Sequence, residues 1–194
     1  MIRYTTSTAE SELLGILQLQ KENLSGALTK EEMNEQGFVT VIHRYDDLKK
    51  LNDIEKHVIA KDQDEVIAYL LAMTQLSKSD IPILIPMFDM FSQVSFAGKT
   101  VSQFNYIVVG QVCVGRNYRG KGVLDNCYTL YKDHYKSRYD FAITEIDSNN
   151  PRSLQAHKRI GFGEISRYGI PGENEWVIVL WDWNNINNSD STLI

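Results

Sequence analysis

At 194 residues the chain has the size of one ordinary domain, long enough to bury about 70% of the surface its unfolded form exposes. Hydrophobic residues make up 43% and charged residues 23%, which excludes wholesale disorder, and no apolar run reaches the roughly eighteen residues needed to cross a bilayer. The net charge of −5 argues against nonspecific nucleic-acid binding, which rests on clustered Lys and Arg, so neither a nucleic-acid nor a membrane partner is expected.

A short strand over residues 2–5 opens the chain, and Ser7 followed three residues later by Glu10 reads as a helix-capping box. In the helix that follows, Leu13, Leu14, Ile16, Leu17 and Leu24 form an apolar face. Thr29 and Glu32 repeat the capping pattern before a second helix, and residues 45–52 suit one or two further turns. Strands over 57–60 and Glu65–Met73 flank Lys61-Asp62-Gln63-Asp64, a polar hairpin turn. Residues 77–103 read as an insertion, because the Pro-containing run Ile81-Pro82-Ile83-Leu84-Ile85-Pro86-Met87-Phe88 fits neither period. So much apolar surface at 81–91 predicts either a wall of an acceptor pocket or a contact in a homodimer.

Tyr106–Val114 is strongly β-forming and leads through a Gly-rich turn into a helix over 123–137, with Leu124, Cys127, Leu130, Tyr131 and Tyr135 on one face. A strand over 141–146, a helix over 153–160, a turn Pro171-Gly172-Glu173-Asn174 and a closing strand over 176–183 complete one domain, 1–183. The Asn- and Ser-rich tail 184–194 is expected to be mobile. The start, Met1 to Ser7, lacks a basic segment followed by an apolar one, and the two cysteines, Cys113 and Cys127, fall in a buried strand and a helix. A cytoplasmic protein without disulfides is the expectation. The four histidines lack partners at ligand spacing, so no metal is expected.

The turn Gly115-Arg116-Asn117-Tyr118-Arg119-Gly120-Lys121-Gly122 between strand and helix is a diphosphate site in outline. Unpaired N–H groups gather at the helix start, the macrodipole favours an anion there, and two glycines permit close backbone approach. Arg119 and Lys121 add positive charge. The spacing lacks the Gly-Lys-Ser/Thr end of a Walker A loop and the G-x-G-x-x-G of a dinucleotide fold.

Arg119-Gly120-Lys121-Gly122-Val123-Leu124 resembles motif A of the GNAT superfamily of acyl-CoA-dependent N-acyltransferases, Arg/Gln-x-x-Gly-x-Gly/Ala, with Arg119 and Gly122 in register and Leu124 departing from the usual Gly or Ala. Asn150-Pro151-Arg152-Ser153-Leu154-Gln155-Ala156-His157-Lys158-Arg159-Ile160-Gly161-Phe162 resembles its motif B, with Asn150, Ser153, Gly161 and Phe162 matching and His157 where Tyr is usual. The resemblance covers 106–183 well. It implies an α/β, α+β-type mixed sheet, mostly antiparallel and splayed at a cofactor slot, with helices on both faces. It further implies acetyl-CoA as cosubstrate, held by Val112, Cys113, Val114, Arg119, Gly120, Lys121, Gly122, Val123, Leu124, Asn150 and Ser153. The backbone of Val112 and Val114 would pair with pantetheine, and an N–H near Val112 or Cys113 would face the oxyanion.

The reaction so implied is direct acetyl transfer to a small-molecule or peptide amine, with His157 in the place of the Tyr that protonates the departing thiolate; a helix histidine packing beside Ala156 and Ile160 is the alternative. The strand before the turn carries no carboxylate, and Gln111 can only orient a water. Glu145 and Asp147 are the nearest carboxylates, read first as a solvated strand end or cap. A covalent role for Cys113 is discounted, since a Cys in a β-branched run is a small core residue. Two other readings remain: a catalytically silent acyl-CoA-binding or sensing domain, and an interaction module with a vestigial slot.

Overall fold

A computed structural model of the chain describes residues 1–79, 81–169 and 174–184. Strand β1 (Ile2–Thr6) precedes α1 (Glu10–Glu22), α2 (Lys30–Gln36) and α3 (Tyr45–Ile54). The hairpin β2 (Val58–Asp62) and β3 (Glu65–Met73) turns at Gln63 and Asp64, with Gln63 at φ 52°. After α4 (Ile85–Phe91) come the two-residue strands β4 (Ser95–Phe96) and β5 (Lys99–Thr100), then β6 (Tyr106–Val114), α5 (Val123–Tyr135), β7 (Phe141–Asp147), α6 (Pro151–Ile160), β8 (Gly163–Gly169) and β9 (Glu175–Asp182).

The main sheet has the order β1-β2-β3-β6-β7-β9-β8. Its neighbours run antiparallel except β6 and β7, which are parallel and pair only at Tyr106 with Phe141, Ile107 with Ala142 and Val108 with Ile143. Just beyond that contact, β6 carries an extra residue against β3, between the pairs Ala72–Val109 and Leu70–Val112. Such a bulge bends the strand and sharpens its twist, so β6 leaves β7 and a wedge opens. Gly110 sits in the bulge, where a Cβ would lie 2.1 Å from Met73 Sδ. Two apolar layers cover the sheet. Leu13, Ile16, Leu48 and Leu51 from α1 and α3 pack on one face with Phe88 and Phe91 of α4, and Cys127, Tyr128, Tyr131 and Tyr135 of α5 pack on the other.

Several details depart from the sequence reading. The first capping box shifts by two residues: Glu12 accepts the N–H of Thr8 at 2.8 Å and of Ala9 at 3.1 Å, while Ser7 Oγ turns to Asn52 Oδ1. Leu14 faces solvent, and Leu19 takes the buried place. The Thr29–Glu32 box forms as read, with Glu32 N–H on Thr29 Oγ1 and Thr29 N–H on Glu32 Oε2. Strand β8, which the sequence reading did not include, is a polar edge with only Ile165 and Tyr168 packed inward on the α1 side. The insertion is mostly core: Phe91 meets the Tyr106 ring at 5.9 Å, and Phe96 meets Phe141 at 5.4 Å. The expected turn at 171–173 and the tail from 185 on lie outside the described residues.

Candidate functional site

A slot of about 670 Å³ opens where β6 and β7 diverge, within the size range of small-molecule sites. Val112, Cys113, Val114, Arg119, Gly120, Gly122, Val123, Leu124, Asn150, Ser153 and His157 all contribute to its walls. Lys121 does not: it is exposed, with its ammonium 6.0 Å from the Tyr118 ring.

The floor of the slot is the start of α5. Gly122 precedes the helix at φ 75° and ψ 5°, a left-handed conformation that glycine adopts without strain, and no side chain caps the helix. The first N–H returned to a helical carbonyl is that of Asn126, on Gly122 O. The N–H groups of Val123, Leu124 and Asp125 are therefore left at the positive end of the helix dipole, which suits a diphosphate.

Arg119 serves the fold. Its Nε donates to Val114 O at 2.9 Å, Nη2 to Asn23 Oδ1 and Nη1 to Gln36 Oε1, so one guanidinium ties β6 to the ends of α1 and α2. Two further cations line the slot. Arg159 pairs with Asp125 across it, from α6 to α5. Arg152 has no hydrogen-bond or ion-pair partner among the described residues, and sequence reasoning missed it although it stands inside motif B.

Along β6 the N–H of Gly115 donates to Ile67 O on the β3 side. Alternation puts the N–H of Cys113 on that side too, and those of Val112 and Val114 on the open edge. Val112 is thus the oxyanion-facing candidate of the two, and Cys113 is not. Both thiols are buried, and burial pushes each up to about 12, far from a reactive thiolate.

A second cavity of about 120 Å³ adjoins the slot, and the two share Phe38, Val39, Val112, Asn150, Ser153 and His157 in their walls. The segment 38–41 forms a strap over the junction. Asn150 Nδ2 donates to Phe38 O at 3.1 Å, while its Oδ1 caps α6 by accepting the Ser153 N–H. Gln111 Nε2 donates to Val41 O at 2.8 Å and Gln111 Oε1 accepts from Tyr69 OH at 2.5 Å, so this amide anchors the strap to β6 and β3. Leu84 and Met87 bring the insertion into the same cavity.

Two carboxylates reach the small cavity, in different states. Asp147 accepts from the Asn149 N–H at 2.8 Å and from Asn174 Nδ2 at 2.6 Å, which is the turn-capping role. Glu145 is half-buried and accepts one hydrogen bond, from Tyr168 OH at 2.6 Å. Burial raises its pKa above the usual carboxylate range, and the Tyr168 bond partly offsets that rise.

His157 is buried between the rings of Tyr128 and Phe162. Its Nδ1 lies 2.8 Å from Ser153 O, which can only accept, so the proton belongs on Nδ1. Nε2, 2.6 Å from Tyr128 OH, then accepts that hydroxyl. Burial lowers the imidazole to about 4, so it is neutral near pH 7.

Among the described residues no cluster of His, Cys, Asp or Glu could hold a metal ion, and no helix is long and apolar enough to cross a membrane. A family model described as the acetyltransferase (GNAT) family matches residues 16–162. No curated protein sequence matches the chain. Among solved structures, an acetyltransferase of the GNAT family from Streptococcus agalactiae superposes with a TM-score of 0.65 at 9% identity, covering 95% of this chain and 96% of that one. The ribosomal-protein-S18-alanine N-acetyltransferase of Escherichia coli gives 0.61 at 9% identity, with 94% of each chain covered. The structure of yncA from Salmonella typhimurium with its cofactor acetyl-CoA gives 0.61 at 12% identity, with 95% of each covered. At these identities the likeness concerns the fold.

Proposed function

Because the chain belongs to the GNAT family of acetyltransferases, we propose that it moves an acetyl group from acetyl-CoA to a primary amine by direct attack, with Glu145 as the general base. The observation that carries this reading is the junction of two cavities: a slot ending on the uncapped start of α5 meets a small chamber holding a carboxyl of raised pKa.

Acetyl-CoA supplies an activated thioester. The N–H groups of Val123, Leu124 and Asp125 and the free cation of Arg152 suit its phosphates, and the open edge at Val112 and Val114 suits its pantetheine amides, as an added strand suits a sheet edge. The carbonyl of Val114 is already held by Arg119, which leaves its N–H for that role. Val112 N–H is placed to donate to the oxygen that gains charge as the amine attacks. The new C–N bond forms as the C–S bond breaks, and the amine proton passes to Glu145. Sulfur leaves as a thiolate, which with a pKa of about 8.5 needs little help from an acid near neutral pH. For His157 the hydrogen bonds favour the packing role over the general-acid role, since its one N–H is held by Ser153 O.

The test is thermal. CoA should raise the melting temperature of the wild-type chain by mass action, and Gly122→Glu, which sets an anion against the phosphates in a strained left-handed residue, should abolish that rise. A folded Gly122→Glu variant with the full rise would remove the α5 start from the site.

A further inference from the structure

The charges on the walls of the slot are unevenly matched. Among the described residues those walls hold three arginines, Arg119, Arg152 and Arg159, and one carboxylate, Asp125. Arg119 is engaged with neutral oxygens and Arg152 has no partner, so the carboxylate is left to Arg159, whose Nη1 donates to Asp125 Oδ1.

The position of this pair matters. Asp125 is the third residue of α5 and lies in its first turn, where the free N–H groups and the dipole suit a diphosphate. A carboxylate there answers the same dipole as a phosphate does, so the two anions compete for one helix start. Arg159 stands in the last turn of α6, where a cation answers the negative end of that helix. A guanidinium that reaches the Asp125 side chain also reaches the first turn of α5. The pair is open to water, with the Arg159 side chain 57% and the Asp125 side chain 42% exposed. An ion pair that exposed is worth at most a factor of about five in an equilibrium constant. A diphosphate on the α5 start brings more negative charge than the carboxylate, and guanidinium–phosphate hydrogen bonds belong to the strong, charge-assisted class. The exchange therefore runs toward the phosphate.

We propose that Asp125 and Arg159 form an exchangeable pair across the slot: a phosphate of acetyl-CoA displaces Asp125 and takes the guanidinium. Arg159 is then a cofactor-binding residue held in reserve, and Asp125 is a built-in competitor that weakens the grip on acetyl-CoA and on the CoA that must leave. This inference rests on the cofactor site proposed above.

The experiment titrates CoA into the full chain by calorimetry, for wild type, Asp125→Asn, Arg159→Gln and the double variant, with Arg152→Gln alone and combined with Asp125→Asn as a control. Melting temperatures without CoA check that each variant is folded. Asp125→Asn should bind CoA more tightly than wild type although its fold gains no stability. Arg159→Gln should bind about tenfold or more weakly, as the loss of a hydrogen bond to a charged group does. The gain from Asp125→Asn should be about two- to fivefold smaller in the Arg159→Gln background, where no pair remains to be broken, and undiminished in the Arg152→Gln background. Unchanged or weaker binding in Asp125→Asn would show that the pair only ties α5 to α6 and would overturn the inference. Equal gains with and without Arg159, or the same shrinkage with Arg152→Gln, would reduce it to charges acting at a distance and overturn it too. In each case CoA binding by the wild type leaves the cofactor site standing. No binding of CoA by the folded wild type would overturn the cofactor site and the inference together.

Discussion

Glu145 and His157 show how a side chain's surroundings set what it can do. Glu145 must be ionised to take a proton, and its pKa is raised by burial. The acid limb of kcat/KM should therefore rise with pH through a point above the ordinary glutamate value of 4.5. Glu145→Gln should lower kcat by about 10²-fold and erase that limb. Tyr168→Phe removes the hydrogen bond that pulls the pKa down, so it should move the limb to higher pH. A pH profile unchanged in both variants would take Glu145 out of the mechanism. His157 is the converse case, a titratable group whose two nitrogens are both occupied. His157→Phe should leave kcat near normal and lower the melting temperature, because Tyr128 OH loses its buried acceptor. A kcat reduced about 10²-fold with CoA affinity intact would instead restore the general-acid role.

At the level of elements, the bulge in β6 makes the slot. Gly110→Ala pushes a methyl into Met73, which is fully buried and has little room to move. It should destabilise the fold by about 1–3 kcal/mol, as overpacking does. Adding Met73→Ala should recover part of that loss, a coupling that a double-mutant cycle in urea would measure. The glycine within the run Val108-Val109-Gly110-Gln111-Val112 was a readable signal for the bulge, since glycine inside a strand marks one. Much else at this scale was legible: the two motifs, the Thr29 cap, and β3, β6 and α5 all stand where period and capping place them, because local sequence decides them. Strand β8 was not legible, being an edge with a mostly polar pattern. The use of Arg119 was also hidden, because Asn23 and Gln36 reach it from 96 and 83 residues away in sequence.

At the scale of the whole molecule, the small cavity beside the slot was beyond sequence reasoning for the same cause. Its wall joins residues 38–43 and 84–87 to 109–112, 144–147, the first turns of α6 and Trp176, segments that only the fold brings together. The strap 38–41 is tied to β6 through Gln111 and to α6 through Asn150, so the N-terminal third of the chain closes a site whose motifs lie in the C-terminal half. The two buried thiols have a further consequence for the order of events in catalysis. With both Cys113 and Cys127 held near 12 and neither able to act as a thiolate, the chain has no thiolate on which an acetyl group could rest between donor and acceptor. Direct attack of the amine, as proposed, requires both substrates to be present together. Initial rates measured at several fixed acetyl-CoA concentrations should give intersecting double-reciprocal lines, where a double-displacement enzyme gives parallel ones. Protein incubated with labelled acetyl-CoA alone and passed through a desalting column should emerge without label. A free-standing acetylated enzyme would overturn direct transfer.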